Sequence, residues 1–191
     1  MDLLSGAAFV ALFRSYRTAF RAEFRDNYRV ESDHTADGTS DYERWAAGAE
    51  APDAERKGAL LQDLREELSD GRRLYRVKVM HRSPYDLYSA EWGYAYNVQA
   101  GEEVRILDLH ERDLPQAAKG LPDFWFIDDR VLLMHYDDED RFLGAGYAAD
   151  ADQPRYLAAR DALLAAAVDF RVWWSAHPEL HHRRPGANLT R

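Results

Sequence analysis

Cysteine is absent from the 191 residues, which excludes disulfides, thiolate chemistry and zinc-cysteine sites. No uninterrupted apolar run approaches the roughly 20 residues that a helical membrane span requires, so no membrane role is expected. There is no Gly-rich phosphate loop, no nucleophile elbow and no Ser-His or Cys-His arrangement. Positive charge is in short supply: 25 Lys and Arg stand against 34 Asp and Glu, for a formal net charge of −9. A protein that grips nucleic-acid phosphates needs a basic surface, so direct nucleic-acid binding is not expected. A signal peptide is not indicated either, because Arg14, Arg17 and Arg21 closely follow a short apolar patch. The expected location is cytoplasmic.

What is present is core-forming material. Hydrophobic residues make up 46% of the chain and aromatic residues 13%, enough to rule out global disorder. The length suits one domain, or one domain with an N-terminal extension. From Gly6 to Tyr28, Phe9, Leu12, Phe13, Tyr16 and Phe20 fit one helical face. Beyond Ala19, strand alternation reads equally well, with Phe20, Ala22 and Phe24 against Arg21, Glu23 and Arg25. Glu31 to Ser40 reads as a loop, and a short helix follows from Asp41 to Ala47. Pro52-Asp53 opens a helix with a Leu60, Leu61, Leu64 and Leu68 stripe, ended by Gly71.

Leu74 to Met80 alternates as a strand with Arg76 and Lys78 on its polar side. Ser83-Pro84-Tyr85-Asp86 carries an N-cap serine, a proline at the first helical position and an acid at the third. That helix runs to about Asn97, and Val104 to Leu109 gives another strand. Strand, helix and strand in this compass predict a parallel βαβ unit with a right-handed crossover. Residues 121–136 then read as two strands, apolar on both faces, meeting at an Asp128-Asp129 corner. A hairpin loop of four acids, 137–140, leads into a further strand up to Tyr147. Asp152 to Ala176 is expected to be one long helix, ended by Pro178.

The expected fold is thus α/β. It is a three-layer sandwich with a mixed sheet in the order βαβ-β-β-α over residues 72–178, preceded by a mainly helical N-terminal segment, 1–71, packed on the core. The basic stretch 179–191, from His181 and His182 onward, is expected to be a frayed tail or a docking tail for an acidic partner.

This element order, closed by a helix with a late Phe170-x-x-Trp173-Trp174, resembles half of a phospholipase D-like enzyme over residues 72–176. Active members carry His-x-Lys on a strand and an aspartate four residues after the lysine. With Asp128 as that aspartate, Leu121 and Asp123 stand at the histidine and lysine positions; with Asp129, Pro122 and Phe124 do. The resemblance therefore implies a non-catalytic version of the half-domain. Nearly the whole chain is also similar to an actinobacterial domain-of-unknown-function family. The similarity is carried by Leu12-Phe13, Arg72 to Met80, Pro84 to Tyr96, Asn97 to Leu107 and Asp123 to Gly144. Its members are commonly encoded beside XRE-type helix-turn-helix regulators, which implies a regulatory accessory protein.

Three sets of candidate residues follow. Arg76, Lys78 and Arg105 lie on the polar sides of neighbouring strands and are candidates for an anion-binding patch. Phe9, Phe13, Tyr16 and Phe20 exceed the aromatic content that a short cap needs and are candidates for partner binding or self-association. Glu91, Asp128, Asp129 and His135 are the catalytic candidates if the chain is a divergent hydrolase or phosphodiesterase. No cofactor or metal is expected, since the acids match no known loop motif and the His177/His181 spacing is interrupted by Pro178. The expected function is a non-catalytic binding module that partners a helix-turn-helix regulator, forms a homodimer or senses a small ligand.

Overall fold

The computed structural model describes residues 3–28 and 38–182. Ser5 caps the first helix, α1 (Gly6–Ser15), by accepting the Ala8 N–H. The chain then turns extended at Tyr16 and enters strand β1 (Thr18–Glu23). Of the two patterns read over Phe20 to Arg25, alternation prevails. A helix continuing through this segment would turn Phe20 and Ala22 about 200° apart, whereas a strand puts both on one face of the sheet, in one core cluster, and Arg21 on the other.

Helix α2 (Asp41–Ala46) starts at a Ser40–Glu43 capping box. Helix α3 (Ala54–Ser69) is capped by Asp53 and followed by Gly71 in the left-handed region. Of its expected stripe only Leu61 is buried, and Leu60 is exposed. Strand β2 (Arg73–Met80) leads into α4 (Pro84–Tyr88), a π-helical segment (Ser89–Tyr94) and α5 (Ala95–Ala100). Strands β3 (Glu103–Asp108), β4 (Phe124–Ile127), β5 (Arg130–Tyr136) and β6 (Phe142–Tyr147) follow.

The long C-terminal helix expected from Asp152 to Ala176 is two helices. α6 (Gln153–Ala166) ends where Ala167 turns extended, and a two-residue strand β7 (Val168–Asp169) intervenes before α7 (Phe170–Ala176). The physical reason is topological. Tyr156, Ala159 and Leu163 of α6 pack on one sheet face, while Phe170 and Trp173 of α7 pack on the other. The chain must cross the sheet edge between them, and it does so by pairing Val168 and Asp169 antiparallel to Ile106 and Arg105.

Among the described residues the strands form one seven-stranded mixed sheet, ordered β6-β5-β4-β1-β2-β3-β7. β1, β2 and β3 are parallel to one another, so the βαβ unit is parallel. β4, β5 and β6 form an antiparallel meander, with β4 paired antiparallel to β1. The first strand therefore sits in the middle of the sheet. Residues 1–71 are not only a helical segment laid on a core that begins at residue 72; they supply the strand that joins the parallel half to the antiparallel half. The loop expected from Glu31 to Ser40 falls mostly outside the described residues, and so does the tail from 183 onward. No described helix is long and apolar enough to cross a membrane.

Candidate ligand cleft

The sheet face opposite α6 carries two apolar groups at its two ends. Tyr16, Trp125, Leu132 and Met134 form one; Met80, Ile106, Trp92 and Phe170 belong to the other. Between them runs a belt of charged side chains. Strand alternation and register produce it directly: Arg21 of β1 lies beside Arg76 of β2, and Glu23 beside Lys78.

Glu23 is the hub. Its Oε1 is 2.9 Å from Arg21 Nη2, and its Oε2 is 3.2 Å from Arg76 Nη1 and accepts the Tyr94 hydroxyl at 2.8 Å. Burial alone would raise its pKa, but the charges of Arg21, Arg76 and Lys78 outweigh that and hold it down at about 2. Arg76 also donates through Nε to the buried Glu102. Lys78 and Asp86 form a pair with both side chains almost fully buried, 2.8 Å apart, and Lys78 also donates to the Arg25 carbonyl. Asp86 closes the cap of α4 as well, accepting the backbone N–H groups of His81 and Ser83. A lone buried carboxylate is costly, so the pair and the cap stabilise each other.

Above this belt lies a cleft of about 720 Å³. Arg21, Glu23 and Arg76 lie at its charged side, and Tyr28, Tyr85, Tyr88, Trp92, Tyr94 and Tyr136 supply flat walls. The rings support one another: Tyr28 lies 5.8 Å from Tyr85 and 5.6 Å from Tyr136, and Tyr88 lies 6.2 Å from Trp92. The Arg21 guanidinium lies 5.7 Å from the Tyr28 ring centroid and 5.3 Å from that of Trp125. The π-helical turn contributes Ser89, Trp92, Gly93 and Tyr94 to the lining. Such turns insert an extra residue and re-aim side chains, and they are frequent at functional sites. A Cβ placed on Gly93 would meet nothing within 4 Å, so this glycine opens onto free space.

The titratable groups at the heart of the cleft are each held in one charge state by their surroundings. Burial pushes the Tyr28 and Tyr94 hydroxyls well above the ordinary phenol range, with nearby Glu23 adding to it, so both stay protonated. Tyr136 is pushed up to about 12, again chiefly by burial. Glu23 stays ionised. Among the described lining residues there is no histidine. None of these groups is poised to exchange a proton near neutral pH.

The residues singled out from sequence are distributed as follows. Arg76 lines the cleft, Lys78 is locked beneath it, and Arg105 is on the opposite sheet face. Arg105 pairs in register with Val77 and donates at 3.4 Å to the Ala167 carbonyl beyond the end of α6. Phe9 and Phe13 pack against each other 5.1 Å apart, and Phe13 against Trp125 at 4.9 Å. Tyr16 and Phe20 are core residues, 2% and 0% exposed, so these two are not part of an open surface patch.

The four catalytic candidates are not brought together. Asp128 sits at the β4–β5 corner in the left-handed region and accepts the N–H groups of Arg17 and Thr18, each at 2.9 Å. Asp129 beside it is exposed. His135 follows Val131 and Leu133, which belong to the α6 face, and its Nε2 has no hydrogen-bond partner. Glu91 is on the other face, accepting the Trp45 indole N–H at 3.1 Å and pairing with His182 at 2.7 Å. Sequence reasoning missed Arg21, Glu23, Tyr28 and Tyr94. The one available signal was the alternation of Arg21 and Glu23, and a charged strand face reads first as a solvated one.

A second cluster lies beyond the C-terminal ends of β2 and β3. Asp108, Glu111 and His177 place ligand atoms within 4.8 Å of one another. Arg82 already bridges the two carboxylates, at 2.7 Å from Asp108 and 3.4 Å from Glu111, and Trp173 donates to Asp108 at 2.9 Å. With its charge met by a guanidinium, this cluster reads as an ion-pair network that fastens α7 to β3.

A family profile described as Domain of unknown function (DUF6879) matches residues 7–175. The chain belongs to the DUF6879 family. The match takes in α1, every strand of the sheet and most of α7, so the cleft and all of its described lining residues lie within the DUF6879 region. A comparison with curated proteins finds no match.

Proposed function

We propose that this DUF6879 protein is a non-catalytic binding module that takes a small ligand in the aromatic cleft and serves a partner protein as a regulatory accessory. The observation that carries the reading is the combination of a cleft of about 720 Å³, six aromatic walls and a charged belt whose carboxylate is fully engaged within the protein. Ligand sites are concave, mostly apolar and provided with a few fixed polar groups, and this arrangement matches that description. The similarity to proteins encoded beside XRE-type regulators favours a helix-turn-helix regulator of an actinobacterium as the partner, with a cytoplasmic setting. An acidic chain of net charge −9 suits a basic DNA-binding partner, since complementary charge steers association. Descent from a phospholipase D-like half-domain that lost its catalytic residues belongs to the same proposal. It rests on the order of elements over residues 72–176, and the neutral or acidic side chains where histidine and lysine would stand make that half-domain non-catalytic.

The test is a ligand-observed NMR screen of aromatic fragments against the full chain and a Gly93→Leu variant. The leucine projects into open space without backbone strain. Fragments should bind the parent chain and lose at least about tenfold in affinity in the variant, the loss expected when an added side chain occupies the ring site. Equal binding to both chains would remove the cleft from consideration.

A further inference from the structure

The chemical class of the ligand can be read from what the cleft leaves unsatisfied; this rests on the cleft being the ligand site. Its central acceptor is spent. Both Glu23 oxygens are engaged, by Arg21, Arg76 and the Tyr94 hydroxyl. The donors are not spent. Arg21 pairs with Glu23 through Nη2 and hydrogen-bonds the Tyr136 hydroxyl, but its Nε is buried without a hydrogen-bond partner. Arg76 uses Nε and Nη1, which leaves Nη2 uncommitted.

Charge points the same way. Among the described lining residues Arg21, Lys57, Arg76 and Arg141 are cationic, and only Glu23 and Asp41 are anionic. This excess of positive charge lies inside a chain whose net charge is −9. Arg141 also pairs with Asp137, so the two guanidiniums beside Glu23 are the ones best placed to act. A cationic ligand would meet these guanidiniums, and both carboxylates of the lining are already ion-paired within the protein, Glu23 with Arg21 and Arg76 and Asp41 with Arg44 and Arg56. A neutral apolar ligand would leave the Arg21 Nε–H unmet in a drier site, at a cost.

We propose that the cleft binds a flat aromatic acid, with its carboxylate on Arg21 and Arg76 and its rings between Tyr28, Tyr88 and Trp92. The guanidinium fork suits a planar two-oxygen anion, which meets it with two parallel hydrogen bonds. Aromatic faces then hold the rest of the ligand by offset stacking. Arg21 joins the two halves of the site, because its guanidinium already lies over the Tyr28 ring.

The experiment is isothermal titration of the full chain with 2-naphthoate and with its neutral isostere 2-naphthamide. The acid should bind more tightly by about ten- to a hundredfold, the range for a hydrogen bond to a charged group. Arg21→Gln should bring the acid-to-amide affinity ratio down to about one, and Arg21→Lys, which keeps charge but not the fork, should retain only part of the preference. Gly93→Leu should weaken both probes. Each variant's fold is checked by its cooperative thermal melt, and if Arg21→Gln does not fold, the Arg21→Lys ratio decides. Equal affinity for acid and amide, with both weakened by Gly93→Leu, overturns the acid assignment and leaves the cleft as a ligand site. Binding of neither probe overturns the assignment whatever the fragment screen returns.

Discussion

At the residue scale, Glu23 ties the belt together, and its behaviour with pH can be worked out. Its pKa is held at about 2 in the folded protein against an ordinary value of 4.5. Stability from this group is therefore fully present above about pH 4.5 and is lost as pH falls from there toward 2. Asp123 acts in the opposite sense: burial raises its pKa against the Tyr28 and Phe24 hydrogen bonds, so its ionisation on the way to neutral pH removes stability. Glu23→Gln leaves two buried guanidiniums without their shared carboxylate and should cost about 3–5 kcal/mol at neutral pH. Urea denaturation of parent and variant should show that gap closing between pH 4.5 and pH 2; a gap that does not change with pH would contradict the ion-pair account. Asp128 gives a second case. It has φ of 52° and caps two backbone N–H groups. Asp128→Ala should cost about 1–3 kcal/mol in urea unfolding, and Asp128→Asn, which tolerates that φ and keeps an acceptor, less than about 1 kcal/mol.

At the scale of elements, the caps were the most legible part of the sequence. Ser83-Pro84-Tyr85-Asp86 is a capping box in the structure, with Ser83 Oγ accepting the Asp86 N–H at 3.0 Å. Ser83→Ala should cost about 1 kcal/mol by urea unfolding, the usual value of an N-cap. The cap matters beyond α4, because Asp86 also neutralises Lys78 beneath the cleft. Other features had no local signature. The strand β7 is two residues long, too short for a period, and exists only because Asp169 and Val168 find Arg105 and Ile106 at the sheet edge. The π-helical turn from Ser89 to Tyr94 carries the same apolar spacing as an α-helix, so its extra residue is invisible in the pattern. Arg76 and Lys78 were placed correctly on one side of β2 but looked solvated. Their burial comes with Asp86 of α4, which pairs with Lys78, and with Tyr94 of the π-helical turn, whose ring lies 5.4 Å from the Arg76 guanidinium.

At the scale of the whole molecule, the position of β1 decides how the chain folds. It pairs with β2 on one side and β4 on the other. Removing it would expose two inner strand edges and the apolar faces around Phe124 and Val77, which pack against Phe20 and Ala22 in one cluster. Residues 72–178 expressed alone should therefore lack a cooperative thermal transition in calorimetry, while residues 1–182 should show one. A sharp transition in the short chain would mean that the parallel and antiparallel halves hold together without β1. The same position explains the cleft, since β1 brings Arg21 and Glu23 to Arg76 across more than fifty residues of sequence.

By itself the sequence determined the composition of the core, the helix caps, the parallel βαβ unit and the want of thiol or phosphate-loop chemistry. These depend on residue type and short-range spacing, which a linear reading contains. Only the tertiary structure decided which charged residues are interior, and that Glu23 stands between Arg21 and Arg76 with Tyr94 closing over it. Burial of a charged strand face depends on what another part of the chain lays over it and on the register of two strands far apart in sequence. Neither quantity is a local property of the residues concerned.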